Sequence, residues 1–347
     1  MRGILSQVAV VLFATTSLLH ADESLDDLAR KAVSENPTEA AAAIAALRNA
    51  GPAGLQALFE IHADHTVLDE VAAQKDSYAS RLYWYTDFEK ARAAAKASGK
   101  PILSLRLLGN LDEEFSCANS RFFRTVLYAN REVADTLRDH FILHWKSVRP
   151  VPKITIDFGD GRVMQRTITG NSIHYVLDSE GRVIDALPGL YGPKAFLKVL
   201  AAAEQQAKRH DGLRQFHAAQ LQKVFTLEAD DVRLDATSRE LMRAKFPTAR
   251  DAARLTMSKT AVEDPLVRMV QSFERTLAED TRQNETVLHR RLHEWFANGE
   301  VGDDVETLNE RVYAELFLTP VNDPWLGLAP EDVYTALPNN GLAKRQP

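Results

Sequence analysis

The residue of this chain whose type and position most directly suggest chemistry is Cys117, the only cysteine among 347 residues. It follows a mostly apolar run, residues 102–108, that predicts a buried strand, and it stands where a helix is expected to begin. The N–H groups and dipole of a helix N-terminus favour a thiolate. Three carboxylates at residues 112–114 would instead raise the thiol pKa if they faced the sulfur. The two effects are of similar size, so the sequence leaves the direction of the shift open.

Ser120 lies three residues after Cys117 and can either hydrogen-bond the thiolate or cap the next helical turn. Cys117 can attack a disulfide and form a mixed disulfide, but a hydroxyl cannot resolve that product. Release would then need an external thiol. The alternative, which we favour, is a buried structural cysteine at a site that has lost its activity.

A second pattern is formed by Glu285, His289 and His293, which fall at i, i+4 and i+8 on one helix face. This spacing can give two imidazoles and a carboxylate to a divalent metal. The pattern lacks the glutamate that zinc proteases place between two such histidines, and the sequence reveals no third ligand segment. We therefore interpret it as a solvated helix face with Glu–His pairing, and expect neither a metal nor another cofactor.

The helices and strands that position these residues are predicted from the spacing of apolar residues and from helix-breaking Pro and Gly residues. Helical spacing interrupted at Asn36-Pro37 and Gly51-Pro52 predicts short N-terminal helices. In the centre we expect a helix ending at Gly99, the strand before Cys117, two helices separated near Asn130, a hairpin at residues 159–161, two further strands and a closing helix. The remainder is helical, with a long helix from Pro265 to Asn298 and an irregular tail that we interpret as packing.

Residues 84–206 resemble the thioredoxin-like superfamily, especially its exported members. The matching pieces are Trp84 with DFEKARAAAKASGKPILSL, Cys117 at the position of the first active-site cysteine, NREVADTLRDHF, and HYVLDSEGRVIDALPGLYGPKAFLKVL. The resemblance implies a thioredoxin-like mixed sheet flanked by helices and a thiol–disulfide activity centred on Cys117.

Two departures from the family pattern bear on that activity. Ser120 replaces the second cysteine of the C-x-x-C pair, and Ser172 occupies the place of the proline that faces the active cysteine. The same alignment puts His174 on the segment that approaches Cys117. A Cys–His pair is one interpretation, and a half-buried strand histidine is the one we favour.

Composition and targeting signals set further bounds. A net charge of −6 and a pI near 6.0 argue against nucleic acid as an obligate partner. Arg2, the apolar run of residues 4–19 and the sequence Leu-His-Ala at residues 19–21 predict a secretory signal, with an uncleaved anchor as the alternative. One cysteine excludes an intramolecular disulfide.

Together these observations predict an α/β protein with all-helical N- and C-terminal extensions, exported to a periplasmic or extracellular compartment. The expected units are a signal peptide (1–21), an N-terminal helical extension (22–75), a thioredoxin-like domain (80–207) and a C-terminal helical region (208–347). The leading functional expectation is thiol–disulfide handling through a mixed disulfide at Cys117, with exported protein thiols or disulfides as partners. The alternatives are a non-catalytic binding or scaffold module of the cell envelope, and a metal-binding protein that uses His289 and His293. After signal cleavage, no membrane span is expected.

Overall fold

The computed structural model describes residues 23–167, 170–209, 211–245 and 264–326. The predicted signal peptide lies outside these residues. Within the described ranges, none of the helices combines the length and apolar character needed to cross a bilayer.

Short helices open the chain, and their caps explain where they begin. They are α1 (Leu25–Ala32), α2 (Pro37–Asn49), α3 (Pro52–Glu60), α4 (His65–Ala72) and α5 (Ser77–Ser80). The side chain of Asn36 accepts hydrogen bonds from the first turn of α2, and Pro37 occupies a first-turn position where no N–H is needed. The buried residues of these helices, among them Leu47 and Leu58, form an apolar cluster of their own, which Tyr83 joins from the segment after α5. The predicted N-terminal helices are therefore confirmed.

The centre of the chain is a four-stranded mixed sheet. Its strands are β1 (Ile102–Leu108), β2 (Ile142–Arg149), β5 (Ser172–Leu177) and β6 (Val183–Pro188), and they lie in the order β2-β1-β5-β6. β1 runs parallel to β2 and antiparallel to β5, which is antiparallel to β6. The predicted hairpin, β3 (Lys153–Asp157) and β4 (Val163–Thr167), pairs only with itself among the described strands. All five residues of β3 are exposed, so the hairpin lies outside the buried sheet.

Helices cover both faces of the sheet. Adjacent residues of a strand point to opposite sides, so each strand places side chains against the helices of both layers. On β5, the His174 ring packs against Phe196, whereas the Tyr175 hydroxyl reaches Asn309. The helices of this central part are α6 (Phe88–Ser98), α7 (Ala118–Phe122) with a π-helical turn (Phe123–Leu127), α8 (Arg131–His140) and α9 (Pro193–Ala207). The predicted ends at Gly99 and Asn130 are confirmed: Gly99 has a φ of 70°, and the Asn130 side chain accepts from the N–H of Val133.

The C-terminal region continues the same core. Its elements are α10 (Leu213–Leu221), a 3₁₀ turn (Ala229–Val232), α11 (Ala236–Lys245), α12 (Asp264–Gln283), a π-helical segment (Asn284–His289), α13 (Arg290–Asn298), α14 (Val305–Arg311) and a second π-helical turn (Val312–Leu316). Leu292, Trp295 and Tyr313 belong to the buried cluster that also contains the sheet residues. Of the apolar tail, Leu326 is buried and Trp325 is half exposed. The mixed α/β class with helical segments at both ends is confirmed, whereas the relation to thioredoxin stays a prediction.

Candidate metal centre

Five ionisable residues from three distant segments meet at the edge of the sheet. β6 contributes Asp185, α10 contributes His217, and the long C-terminal helix contributes Glu285, His289 and His293. Asp185, His217 and His289 are almost completely buried, and His293 is only 6% exposed. Charged groups are rarely so buried unless they are paired. We call these five residues the histidine cluster.

The connection between β6 and α9 anchors the long helix beside Asp185. The N–H of Gly192 donates to the Thr281 hydroxyl at 2.9 Å, and the Asn284 amide donates to the Leu190 carbonyl at 2.8 Å. The chain can approach this closely at Gly189, where a Cβ atom would lie 2.6 Å from the Asn284 side chain. The positions of β6 and the helix are therefore coupled directly next to the cluster.

Glu285 and His289 lie within the π-helical segment rather than in regular α-helix. Such segments are rare and are often found at functional sites. The His289 and His293 rings nevertheless lie side by side, with their centroids 4.0 Å apart. The predicted shared face is thus retained through the π-helical segment.

His289 is held between two carboxylates. Its Nε2 lies 2.9 Å from Asp185 Oδ1, and its Nδ1 lies 2.8 Å from Glu285 Oε2. Because carboxylates only accept, both ring nitrogens donate and the ring is an imidazolium. Burial alone would lower the pKa of His289, but Glu285 and Asp185 outweigh it and raise the pKa to about 10. Burial likewise acts to raise the pKa of Asp185, and the His289 charge lowers it below its ordinary value.

The other two histidines are neutral, and their tautomers follow from their partners. His217 Nε2 lies 2.9 Å from the Ile184 carbonyl, which can only accept, so this nitrogen carries the proton. His217 Nδ1 is then an acceptor for the N–H at Nδ1 of His293, 2.8 Å away. Burial lowers the pKa of His217, and burial together with the His289 charge lowers the pKa of His293 to about 2. Nε2 of His293 makes no hydrogen bond to a described residue, and Nδ1 of His293 also lies 4.0 Å from Asp185 Oδ1.

This arrangement contains the ligand set of a divalent transition metal. One donor atom from each of Asp185, His289 and His293 can be chosen so that all three lie within 4.8 Å of one another. Two imidazoles and one carboxylate suit zinc and non-haem iron sites with open coordination positions. The second nitrogen of a ligating histidine normally donates to a fixed acceptor. Glu285 provides that acceptor for His289.

The charge of the cluster also favours exchange of a proton for a metal ion. With His289 protonated and the other two histidines neutral, the two carboxylates leave a net charge of one negative unit in a largely buried site. A divalent ion that replaces the Nε2 proton of His289 makes the cluster neutral. Buried charge is costly when it is uncompensated, so the metal-bound form relieves a penalty that the protonated form retains.

A cavity of about 390 Å³ opens beside the cluster. Asp185, Glu285, His289 and His293 all lie in its wall. The apolar part of the lining includes Val199, Phe216 and Phe225, and the charged part includes Lys198, Lys223, Asp231 and Arg290. The volume lies within the range of small-molecule sites, about 300–1,000 Å³.

Cys117, the leading residue of the sequence analysis, lies elsewhere and is completely buried. It caps α7, and its Sγ accepts from the N–H of Ser120 at 3.4 Å. The Ser120 hydroxyl bonds to Ser116 Oγ and to the Cys117 carbonyl oxygen. Burial raises the pKa of the Cys117 thiol, and the hydrogen bond from Ser120 offsets only part of that rise. The direction of the shift, which the sequence left open, is thus decided by burial and not by the upstream carboxylates.

Ser172 and His174 have different surroundings from each other. Ser172 accepts a hydrogen bond from the Asn119 amide of α7 at 2.9 Å, so it does approach the helix that Cys117 caps. His174 is buried and pairs through Nε2 with the Tyr128 hydroxyl at 2.6 Å. Burial lowers its pKa to about 3. The interpretation of His174 as a strand histidine is confirmed, although it is fully rather than half buried, and its hydrogen-bond partner is Tyr128 instead of Cys117.

The interpretation of Glu285, His289 and His293 as a solvated helix face is wrong. The Glu285–His289 pairing exists, but β6 and α10 cover the two histidines. Sequence reasoning also missed Asp185 and His217. A signal for Asp185 was present, since an aspartate within the apolar stretch VIDALP must be paired if that strand is buried. No comparable signal marks His217, which only the packing of α10 on α13 brings to the cluster.

Comparison of the sequence with protein-family profiles finds no match, and comparison with curated proteins finds none at a significant level.

Proposed function

We propose that this protein binds one divalent transition-metal ion through Asp185, His289 and His293. The observation that carries the proposal is the convergence of one donor atom from each of these three side chains within 4.8 Å. Glu285 holds the Nδ1 proton of His289, which leaves Nε2 of that ring for a metal. The nitrogen of His293 that lies 4.0 Å from Asp185 Oδ1 is Nδ1, and it would exchange its hydrogen bond with His217 for the metal.

The site is suited to a metal that takes part in binding or chemistry. Three protein ligands leave at least one coordination position for water or another ligand, whereas structural zinc sites are closed by four. The three ligands lie in the wall of the cavity, so the remaining position has access to small molecules. Tyr191 adds a further support, because its hydroxyl donates to Glu285 at 3.0 Å and thereby fixes the carboxylate that orients His289.

The test is metal binding by purified protein from which metals have been removed with a chelator. Calorimetric titration with Zn²⁺ should give one ion per chain and release about one proton, since His289 alone among the ligands is protonated at Nε2. Asp185→Asn keeps the shape of the side chain and should abolish stoichiometric binding. His140→Ala removes a half-exposed histidine that pairs with Glu204 outside the cluster, and should bind as wild type.

A second measurement covers the case in which Asp185→Asn fails to fold. Zn²⁺ at about 100 times its dissociation constant should stabilise the wild-type protein by about 2.7 kcal/mol in chemical denaturation. Absence of both stoichiometric binding and stabilisation in the wild type would show that the histidine cluster is a structural ion-pair network.

The thiol–disulfide function predicted from the thioredoxin resemblance stays a prediction. Cys117 has no exposed surface, and burial raises its pKa, so this function requires the region around α7 to open. Mixed-disulfide trapping with wild-type and Cys117→Ser protein tests it, and a Cys117-dependent adduct would support it.

A further inference from the structure

With a divalent ion bound at the histidine cluster, the adjoining cavity has an overall positive charge. Its lining contains three permanent cations, Lys198, Lys223 and Arg290, and three carboxylates, Asp185, Asp231 and Glu285. These cancel, and in the metal-bound form what remains is the charge of the divalent ion. A cavity with such a lining favours an anion over a neutral or cationic ligand.

The positive charge is not evenly neutralised within the cavity. Lys198 pairs with Asp231 at 2.6 Å, and Arg290 lies 3.9 Å from Glu294. Lys223, by contrast, makes no ion pair with any described residue. It lines the same cavity as His289 and His293. Within the described part of the chain, Lys223 is therefore a cation of this cavity without a carboxylate partner.

The other part of the lining is apolar. The Phe216 and Phe225 side chains and the aliphatic Val199 contribute to the wall, and Val224 is 86% exposed at the same place. A large apolar side chain exposed to this degree beside a cavity gains free energy when a ligand covers it. The cavity thus combines an open metal position, a free cation and apolar walls.

We infer that the cavity binds a small organic carboxylate whose oxygen ligates the metal and whose apolar body lies against the phenylalanines. This inference rests on the proposed metal site, since the metal supplies the contact that fixes the carboxylate. Lys223 adds charge attraction, and the apolar walls select for a hydrocarbon chain over a bare anion.

The experiment uses the full-length protein loaded with Co²⁺, whose visible absorption responds to changes in its ligands. Hexanoate should change the spectrum saturably, with one molecule per chain. It should do so at a concentration at least about tenfold lower than acetate, because four more CH₂ groups are available for burial. Hexan-1-ol, which has the chain without the charge, should leave the spectrum unchanged.

Two lysine variants test the role of charge. Lys223→Gln should weaken hexanoate binding about fivefold, equivalent to roughly 1 kcal/mol, while Co²⁺ is still bound. Lys208→Gln removes an exposed lysine that pairs with Glu204 away from the cavity, and should bind hexanoate as wild type. Equal affinity of wild type and Lys223→Gln would contradict the charge argument.

The outcomes separate the two proposals. If Co²⁺ does not bind, the metal site is refuted and the carboxylate site falls with it. If Co²⁺ binds but no carboxylate changes its spectrum, or acetate binds as well as hexanoate, the metal site stands and the inference about the ligand is overturned.

Discussion

The contact between Asp185 and His289 should contribute strongly to stability even without metal, and Asp185→Asn measures that contribution. In the metal-free protein the Asp185 carboxylate lies 2.9 Å from the imidazolium, and both side chains are almost completely buried. At an effective dielectric constant of about 20, two unit charges at this separation interact by about 6 kcal/mol, which is an upper bound because both charges are delocalised. Removal of one partner from a buried ion pair typically costs about 3–5 kcal/mol. The asparagine oxygen retains an acceptor for Nε2, so we expect a loss at the lower end, about 3 kcal/mol.

The assay is urea denaturation of wild type and variant in the presence of a chelator, so that metal binding does not contribute. The matched control is Glu89→Gln, which makes the same change from carboxylate to amide in a pair with Arg92 at 3.0 Å. Glu89 is 73% exposed, so its pair should contribute less than about 1 kcal/mol. If Asp185→Asn lowers the free energy of unfolding no more than Glu89→Gln does, the buried ion pair between Asp185 and His289 does not exist in solution.

Two further predictions concern the region around Cys117 and His174. Cys117 should react with iodoacetamide far more slowly in the native protein than in urea. Because burial raises the folded-state pKa of its thiol, the stability that this thiol contributes is fully present below about pH 8.5 and should be lost as the pH rises towards the folded-state pKa. The free energy of unfolding of Cys117→Ala should therefore fall less over this pH range than that of the wild type. Rapid labelling of the native protein at pH 7 would contradict the buried site. Tyr128→Phe removes the hydrogen-bond partner of His174 and should lower the free energy of unfolding by about 1–3 kcal/mol, whereas the double variant Tyr128→Phe/His174→Leu should recover part of that loss because neither polar group remains. A double variant less stable than Tyr128→Phe would argue against the pairing.

Much of the fold was predictable from local sequence, since the signals act over a few residues. Asn36-Pro37, Gly99 and Asn130 mark helix ends through capping and through the conformational freedom of glycine, and these ends occur where the pattern places them. The apolar run of β1 and the hairpin turn at residues 159–161 likewise depend on local hydrophobicity and turn chemistry. These features led to the correct α/β class.

The sequence alone identified Cys117 as the only thiol and placed Glu285, His289 and His293 on one face of a helix. Only the tertiary structure decided what those residues do. Burial of Cys117 depends on how later segments of the chain pack around α7, and the surroundings of His289 depend on β6 and α10, which lie far away in sequence. A pKa or a ligand set is determined by groups a few ångströms apart in space, and helical periodicity reports only on neighbours within one element. For this reason the sequence could place three members of the histidine cluster together, while the contacts of Asp185 and His217 with them became visible only in the folded chain.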